Sequence, residues 1–251
     1  MDVRFGREHD ILTNEGFSNT LFQVLNVKPG GSLWAAPVCS TWVYLSRAST
    51  GRSSANPMGF NTGLTWKHNV MVARVVIILT IAMSKGIWWC LEQPKGSLLE
   101  SHILFQKMLS LVGVSVSRVL CSLGHFGADS MKPVWVYSSE THATEFNDFA
   151  DRSLRPTNPH MVTHYQDGNG KARVKGGSAL KQSQAYPRKF GVAIAKVRTR
   201  HLKRQRVAAA RFLRRALDGE DTSQLDMTNK TNLLWMKLAD LKPVFQYLAK
   251  Q

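Results

Sequence analysis

The chain has 251 residues and a hydrophobic content of 43%, so it can bury a full core and does not have the composition of a disordered protein. Its net charge of +16 favours a polyanionic partner, either nucleic acid or an acidic membrane face. Three cysteines without a CxxC pair indicate a reducing compartment and argue against a disulfide framework. We recognise no secretion signal and expect an intracellular protein, nuclear if the source is eukaryotic.

The first part of the chain predicts alternating helices and strands. The predicted elements are a helix at 17–27, a strand at 32–36, a long surface loop at 40–65, a helix from 69 to about 84 and a strand at 87–91. The apolar run at 70–83 is shorter than the ~18–20 residues of a membrane span, and Arg74 interrupts it. We therefore expect a buried helix that connects two strands, and no membrane partner.

The later part of the chain predicts an antiparallel hairpin and a basic helix. Ser97 and Glu100 fit a capping box before a helix with a buried apolar face. The elements that follow are strands at about 114–120 and 133–137, an irregular region at 138–186, a helix from Pro187 and an amphipathic segment at 233–248. The chain thus divides into an α/β core at 1–137, an irregular loop region at 138–186, a basic helix at 187–217 and a C-terminal amphipathic helical segment at 218–251.

Two reactive side chains follow the predicted strands around the long helix. Cys39 follows the first strand and Glu92 the second, and a strand–helix–strand crossover places two such strands side by side and parallel. Ligands bind at the carboxyl ends of such strands, so we expect Cys39 and Glu92 to face one cleft. Cys39 is a candidate nucleophile or an inert buried thiol. Glu92 is a candidate proton donor or a strand-end acid paired with Lys95.

Two segments around these residues carry a family resemblance. Pro-Val-Cys-Ser-Thr-Trp at 37–42 and Glu-Gln-Pro-Lys-Gly-Ser at 92–97 resemble the nucleophile loop and the Glu-Asn-Pro-x-x-Ser loop of divergent cytosine-5 DNA methyltransferases. Weaker similarity continues through 124–127, 132–133 and 186–191. The resemblance implies a partial Rossmann-like sheet of the class I methyltransferase type, with an antiparallel edge hairpin and a basic helical C-terminal region.

The resemblance also implies a mechanism and a cofactor. The Cys39 thiolate would add to C6 of a flipped-out cytosine, and Glu92 would hold N3 and the exocyclic amine. The C5 carbon would then take a methyl group from S-adenosylmethionine, with Asp2 matched to the acid at the cofactor ribose and Asp10 to the acid near its adenine. The Gly-rich cofactor loop has no counterpart before Cys39, so we expect an N-terminally truncated relative that binds S-adenosylmethionine weakly or not at all.

A basic run supplies the second candidate function. Nine Lys or Arg residues and no acid lie between positions 196 and 215, and such a helix repels itself unless something neutralises it. We expect it to bind nucleic acid, with DNA as the favoured form, rather than to be only a solvated face. The residues assigned to this role are Arg198, Arg200, Lys203, Arg204 and Arg206. The alternative to an active enzyme is a non-catalytic nucleic-acid-binding protein that keeps the scaffold; no metal site is expected.

Overall fold

A computed structural model describes residues 5–60, 62–111, 116–157, 162–170, 172–176 and 185–217. The helices are α1 (Asn14–Asn26), α2 (Arg47–Thr50), α3 (Gly63–Ser84), α4 (Ile103–Leu109) and α5 (Arg188–Leu217). The strands are β1 (Ser32–Ala35), β2 (Trp88–Pro94), β3 (Ser117–Ser122), β4 (Pro133–Ser138), β5 (Val162–Gln166) and β6 (Ala172–Gly176). The protein is mixed α/β, as the sequence predicts.

The strands form a four-stranded sheet and a separate hairpin. The order in the larger sheet is β1-β2-β4-β3, in which β1 and β2 are parallel and the other neighbours are antiparallel. Ser32 pairs with Trp88 and Ala35 with Leu91. The predicted parallel pair and the predicted antiparallel edge hairpin are therefore confirmed. The strands β5 and β6 form the second, antiparallel sheet.

The helix α3 connects β1 to β2 and has 22 residues. It begins six residues before the predicted start, and by length and composition alone it could cross a membrane, so the prediction that it is too short is wrong. Of the most apolar 18-residue stretch of this helix, 72% is buried inside the structure, which agrees with a buried connecting helix. Arg74 does not interrupt this packing, because its guanidinium donates to the carbonyl oxygens of Ile11 (2.8 Å) and Thr13 (2.7 Å) at the start of α1.

The chain divides into two compact units, and the division falls within β4. Residues up to Ser117, together with Tyr137–Thr141, belong to the first unit, and Arg118–Val136 with the described residues from His142 onward belong to the second. The first unit has a core rich in tryptophan and leucine, with Trp42, Leu79, Trp89, Leu91 and Leu99 fully buried. In the second unit, α5 packs through Phe190, whose ring centroid lies 5.1 Å from that of Phe126.

Two predicted irregular segments contain structure. The region 138–186 holds a 3₁₀ segment at Thr141–Phe149 and the hairpin of β5 and β6, so the prediction of little regular structure there is wrong. The short strands escaped detection because they lack a strong alternating apolar pattern. The predicted surface loop at 40–65 contains α2 and buries Thr41, Trp42 and Arg52. It is an integral part of the first unit.

The helix predicted after Ser97 is divided in two. Ser97 Oγ accepts from the backbone N–H of Leu99 and starts a 3₁₀ turn at Leu98–Ser101, not a continuous helix. His102 then caps α4, because its Nδ1 accepts from Leu104 N at 3.2 Å. The basic helix α5 ends at Leu217, directly before the predicted break. The predicted amphipathic segment at 233–248 lies outside the described residues.

Candidate functional site

The carboxyl ends of β1 and β2 carry the two predicted reactive residues in the first unit. Cys39 lies in the loop four residues after β1 ends and is half-buried. Glu92 lies within β2, which continues to Pro94, and only 4% of it is exposed. Glu92 therefore lies within the strand and not at the start of the following loop, where the sequence predicted it. The parallel register brings both residues to one edge of the sheet, because Ala35 pairs with Leu91.

Direct hydrogen bonds join the two predicted loops. Gln93 Nε2 donates to the Pro37 carbonyl oxygen at 2.7 Å, and Ser97 Oγ donates to Gln93 Oε1 at 2.9 Å. The backbone N–H of Leu98 donates to the Trp42 carbonyl oxygen at 2.8 Å. The Cys39 loop and the segment after Glu92 thus form one hydrogen-bonded edge. Gln93, a departure from the asparagine of the resembled family, provides the central link.

A buried arginine behind this edge is absent from the sequence predictions. Arg52 is 2% exposed, and its guanidinium carbon lies 3.4 Å from the ring centroid of Trp42. Its N–H groups donate to Asn69 Oδ1 (2.8 Å), Thr65 O (3.2 Å), Thr41 Oγ1 (3.4 Å) and Pro57 O. Its Ser- and Gly-rich surroundings in the sequence gave no signal of burial. We call Thr41, Trp42, Arg52, His68 and His102 the Arg52 cluster.

Two histidines of the Arg52 cluster are neutral at pH 7. His68 Nδ1 lies 2.8 Å from Thr41 Oγ1, and burial, followed by the charge of Arg52, lowers the pKa of His68. The same two causes lower the pKa of His102 to about 3. The His102 ring packs edge-on against Trp42, with centroids 5.6 Å apart. The cluster therefore holds its positive charge on Arg52.

Of the two residues assigned to a cofactor, the structure describes only Asp10. Asp2 lies outside the described residues. Asp10 Oδ1 accepts from Leu12 N at 2.9 Å, and the Asp10 carbonyl oxygen accepts from Thr13, so Asp10 shapes the turn before α1. In the described part of the chain, β1 leads into Ala36 and not into a glycine turn that would let backbone approach a ligand. Binding of S-adenosylmethionine therefore stays an expectation from the resemblance.

The five predicted nucleic-acid-binding residues lie on α5, in the second unit, and do not form one exposed row. Arg198 is 9% exposed, whereas Lys203 is exposed; Arg206 lies on the helix. Arg200 donates to Glu145 Oε2 (3.0 Å) and Asp148 Oδ2 (2.9 Å), and Arg204 also pairs with Glu145.

Acids from the 3₁₀ segment therefore neutralise part of the basic helix, which the sequence alone did not indicate. Burial raises the pKa of Glu145, but hydrogen bonds from Arg204 and Arg200, together with their charges, hold it below its usual value. Phe149 adds a cation–π contact, with the Arg200 guanidinium carbon 4.7 Å from its ring centroid. These contacts hold α5 against the 3₁₀ segment.

Comparison with known proteins gives no relative: no protein-family model, no curated protein and no solved structure matches the chain.

Proposed function

We propose that the chain is a cytosine-5 DNA methyltransferase-like protein, in which Cys39 and Glu92 of the first unit act on an extrahelical pyrimidine. The observation that supports this best is the bond from Gln93 Nε2 to Pro37 O. This bond connects the loop that carries the half-buried Cys39 to the strand that carries the buried Glu92. Both residues lie at the C-terminal ends of the parallel strands β1 and β2. That edge is where open α/β sheets bind ligands.

The sheet supports the same proposal at the level of the fold. The parallel pair β1 and β2 is followed in the sheet by the antiparallel strands β4 and β3. This arrangement agrees with the second part of a Rossmann-like, methyltransferase-type sheet, which the sequence resemblance implies. Fold alone does not carry function, so the proposal depends on the chemistry of Cys39 and Glu92.

The two residues can perform a cofactor-independent reaction on cytosine. The Cys39 thiolate adds to C6, while the Glu92 carboxyl binds N3 and the exocyclic amine. C5 then takes a proton from water, a base removes the original C5 hydrogen, and the thiolate leaves from C6. The net result is exchange of the C5 hydrogen with water. S-adenosylmethionine would supply a methyl group at the same carbon when bound, but the described residues show no loop that would hold it, so we derive no methyl transfer.

Release of tritium from DNA containing [5-³H]deoxycytidine tests this proposal without a methyl donor. We expect exchange by the wild-type chain, loss to background in Cys39→Ala, and a reduction of about 10²-fold or more in Glu92→Gln. Cys121→Ala is the matched control, because Cys121 is fully buried and burial raises the pKa of its thiol to about 12. No exchange by the wild type, or equal exchange by Cys39→Ala, would refute the proposal.

The second candidate is a non-catalytic nucleic-acid-binding protein that uses α5. It is favoured by the cations that stay accessible on this helix, Lys203 and the 60% exposed side chain of Arg204. Each phosphate contact from such residues would make binding weaker as the salt concentration rises. A chain that binds DNA with this salt dependence, and shows no C5 exchange, would fit the second candidate instead of the first.

A further inference from the structure

A buried positive charge lies beside the turn that carries Cys39. Burial lowers the pKa of Arg52 to about 10, so its guanidinium is still protonated at pH 7. All of its hydrogen-bond acceptors are neutral oxygens, and within the described residues no carboxylate reaches ion-pair distance of it. A buried charge without a counter-ion is costly and is retained only with extensive hydrogen bonding. Burying the Arg52 charge is therefore unfavourable by itself, although a loop residue could have remained exposed to solvent.

Arg52 contacts the Cys39 turn at two successive residues. Trp42 N donates to the Cys39 carbonyl oxygen at 2.8 Å and closes the turn. Arg52 donates to Thr41 Oγ1 (3.4 Å) and stacks on the Trp42 ring (3.4 Å). Removing the guanidinium therefore withdraws both this support of the turn and the positive charge of the Arg52 cluster. His68 and His102 are the titratable groups that contact this cluster through Thr41 and Trp42, and burial and the charge of Arg52 lower the pKa of both.

We propose that Arg52 is a positioning residue for Cys39, which holds the turn closed and favours the thiolate over the thiol through its buried charge. This rests on the proposed role of Cys39 as the nucleophile. As a general order of magnitude, any unit charge about 10 Å from a thiol, at an effective dielectric constant of about 20, changes the thiolate fraction roughly tenfold. Reactive cysteines are typically found in such electropositive, partly exposed surroundings.

The rate of Cys39 alkylation by iodoacetamide, followed by mass spectrometry of the labelled peptide from about pH 6 to about pH 10, tests this inference. The thiolate is the reacting form, so the midpoint of the rate profile reports the thiol pKa. We expect the wild-type midpoint below the ordinary value of about 8.5. Arg52→Met should move it up by about one pH unit and slow the reaction near pH 7 roughly tenfold, whereas Arg52→Lys should restore most of the rate.

Arg47→Met is the matched control, because this arginine lies in the same segment and stacks on Tyr44 instead of Trp42. Its profile should equal the wild-type profile. A wild-type midpoint at or above about 8.5 overturns the inference, even if Arg52→Met fails to fold. Equal profiles for folded Arg52→Met and the wild type also overturn it. The assay uses no DNA, so a low midpoint without C5 exchange would leave Arg52 supported and the proposed function refuted.

Discussion

Gln93 should stabilise the first unit through its two part-buried hydrogen bonds. Gln93→Ala removes the donor to Pro37 O and the acceptor of Ser97 Oγ, at a residue that is 2% exposed. Each bond contributes about 1 kcal/mol, and the Pro37 carbonyl loses its side-chain donor. Adding the truncated apolar part of the side chain, the free energy of unfolding should fall by about 2–4 kcal/mol.

Urea unfolding followed by tryptophan fluorescence measures this change. Five of the seven tryptophans lie between positions 34 and 89, so the signal reports mainly on the first unit. Gln106→Ala is the matched control, because Gln106 is an exposed glutamine on α4, and it should cost less than about 0.5 kcal/mol. If Gln93→Ala lowers the free energy of unfolding by no more than Gln106→Ala does, the hydrogen bonds between the two loops do not stabilise the fold.

The two remaining predictions concern pH and salt. The pKa of His102 is about 3 in the folded chain and about 6.5 unfolded, so stability is full above about pH 6.5 and falls by up to about 1.4 kcal/mol per pH unit below it. His102→Asn should flatten this dependence in urea titrations at several pH values; an unchanged slope would contradict a neutral buried imidazole. Glu145→Gln should release Arg204 and remove one of the two ion pairs of Arg200, and it should steepen the log–log salt dependence of DNA binding by about 0.9 to 1.8. Asp148→Asn, which frees only a contact of Arg200, should change it less, and equal slopes in all three chains would refute phosphate binding by these arginines.

The strongest local patterns in the sequence determined the central part of the fold. A long segment rich in serine and glycine separates the apolar runs of β1 and α3, and a short turn at Gly86 separates those of α3 and β2, so their order requires a crossover connection. That was sufficient to place Cys39 and Glu92 at one sheet edge. The helix α5 was equally predictable, because Pro187 and the break after Leu217 bracket a long periodic segment.

Contacts between residues far apart in the sequence determined the burial of Arg52 and the ion pairs of α5. Arg52 is buried because acceptors from positions 41, 57, 65 and 69 surround it, and no local pattern around an arginine reveals acceptors that the fold brings together. The neutralisation of Arg200 likewise depends on acids about 50 residues earlier, so the sequence showed an unpaired basic helix where the structure has ion pairs. Periodicity records which face of a segment is apolar, whereas the partner of a buried charge is set only when the segments pack.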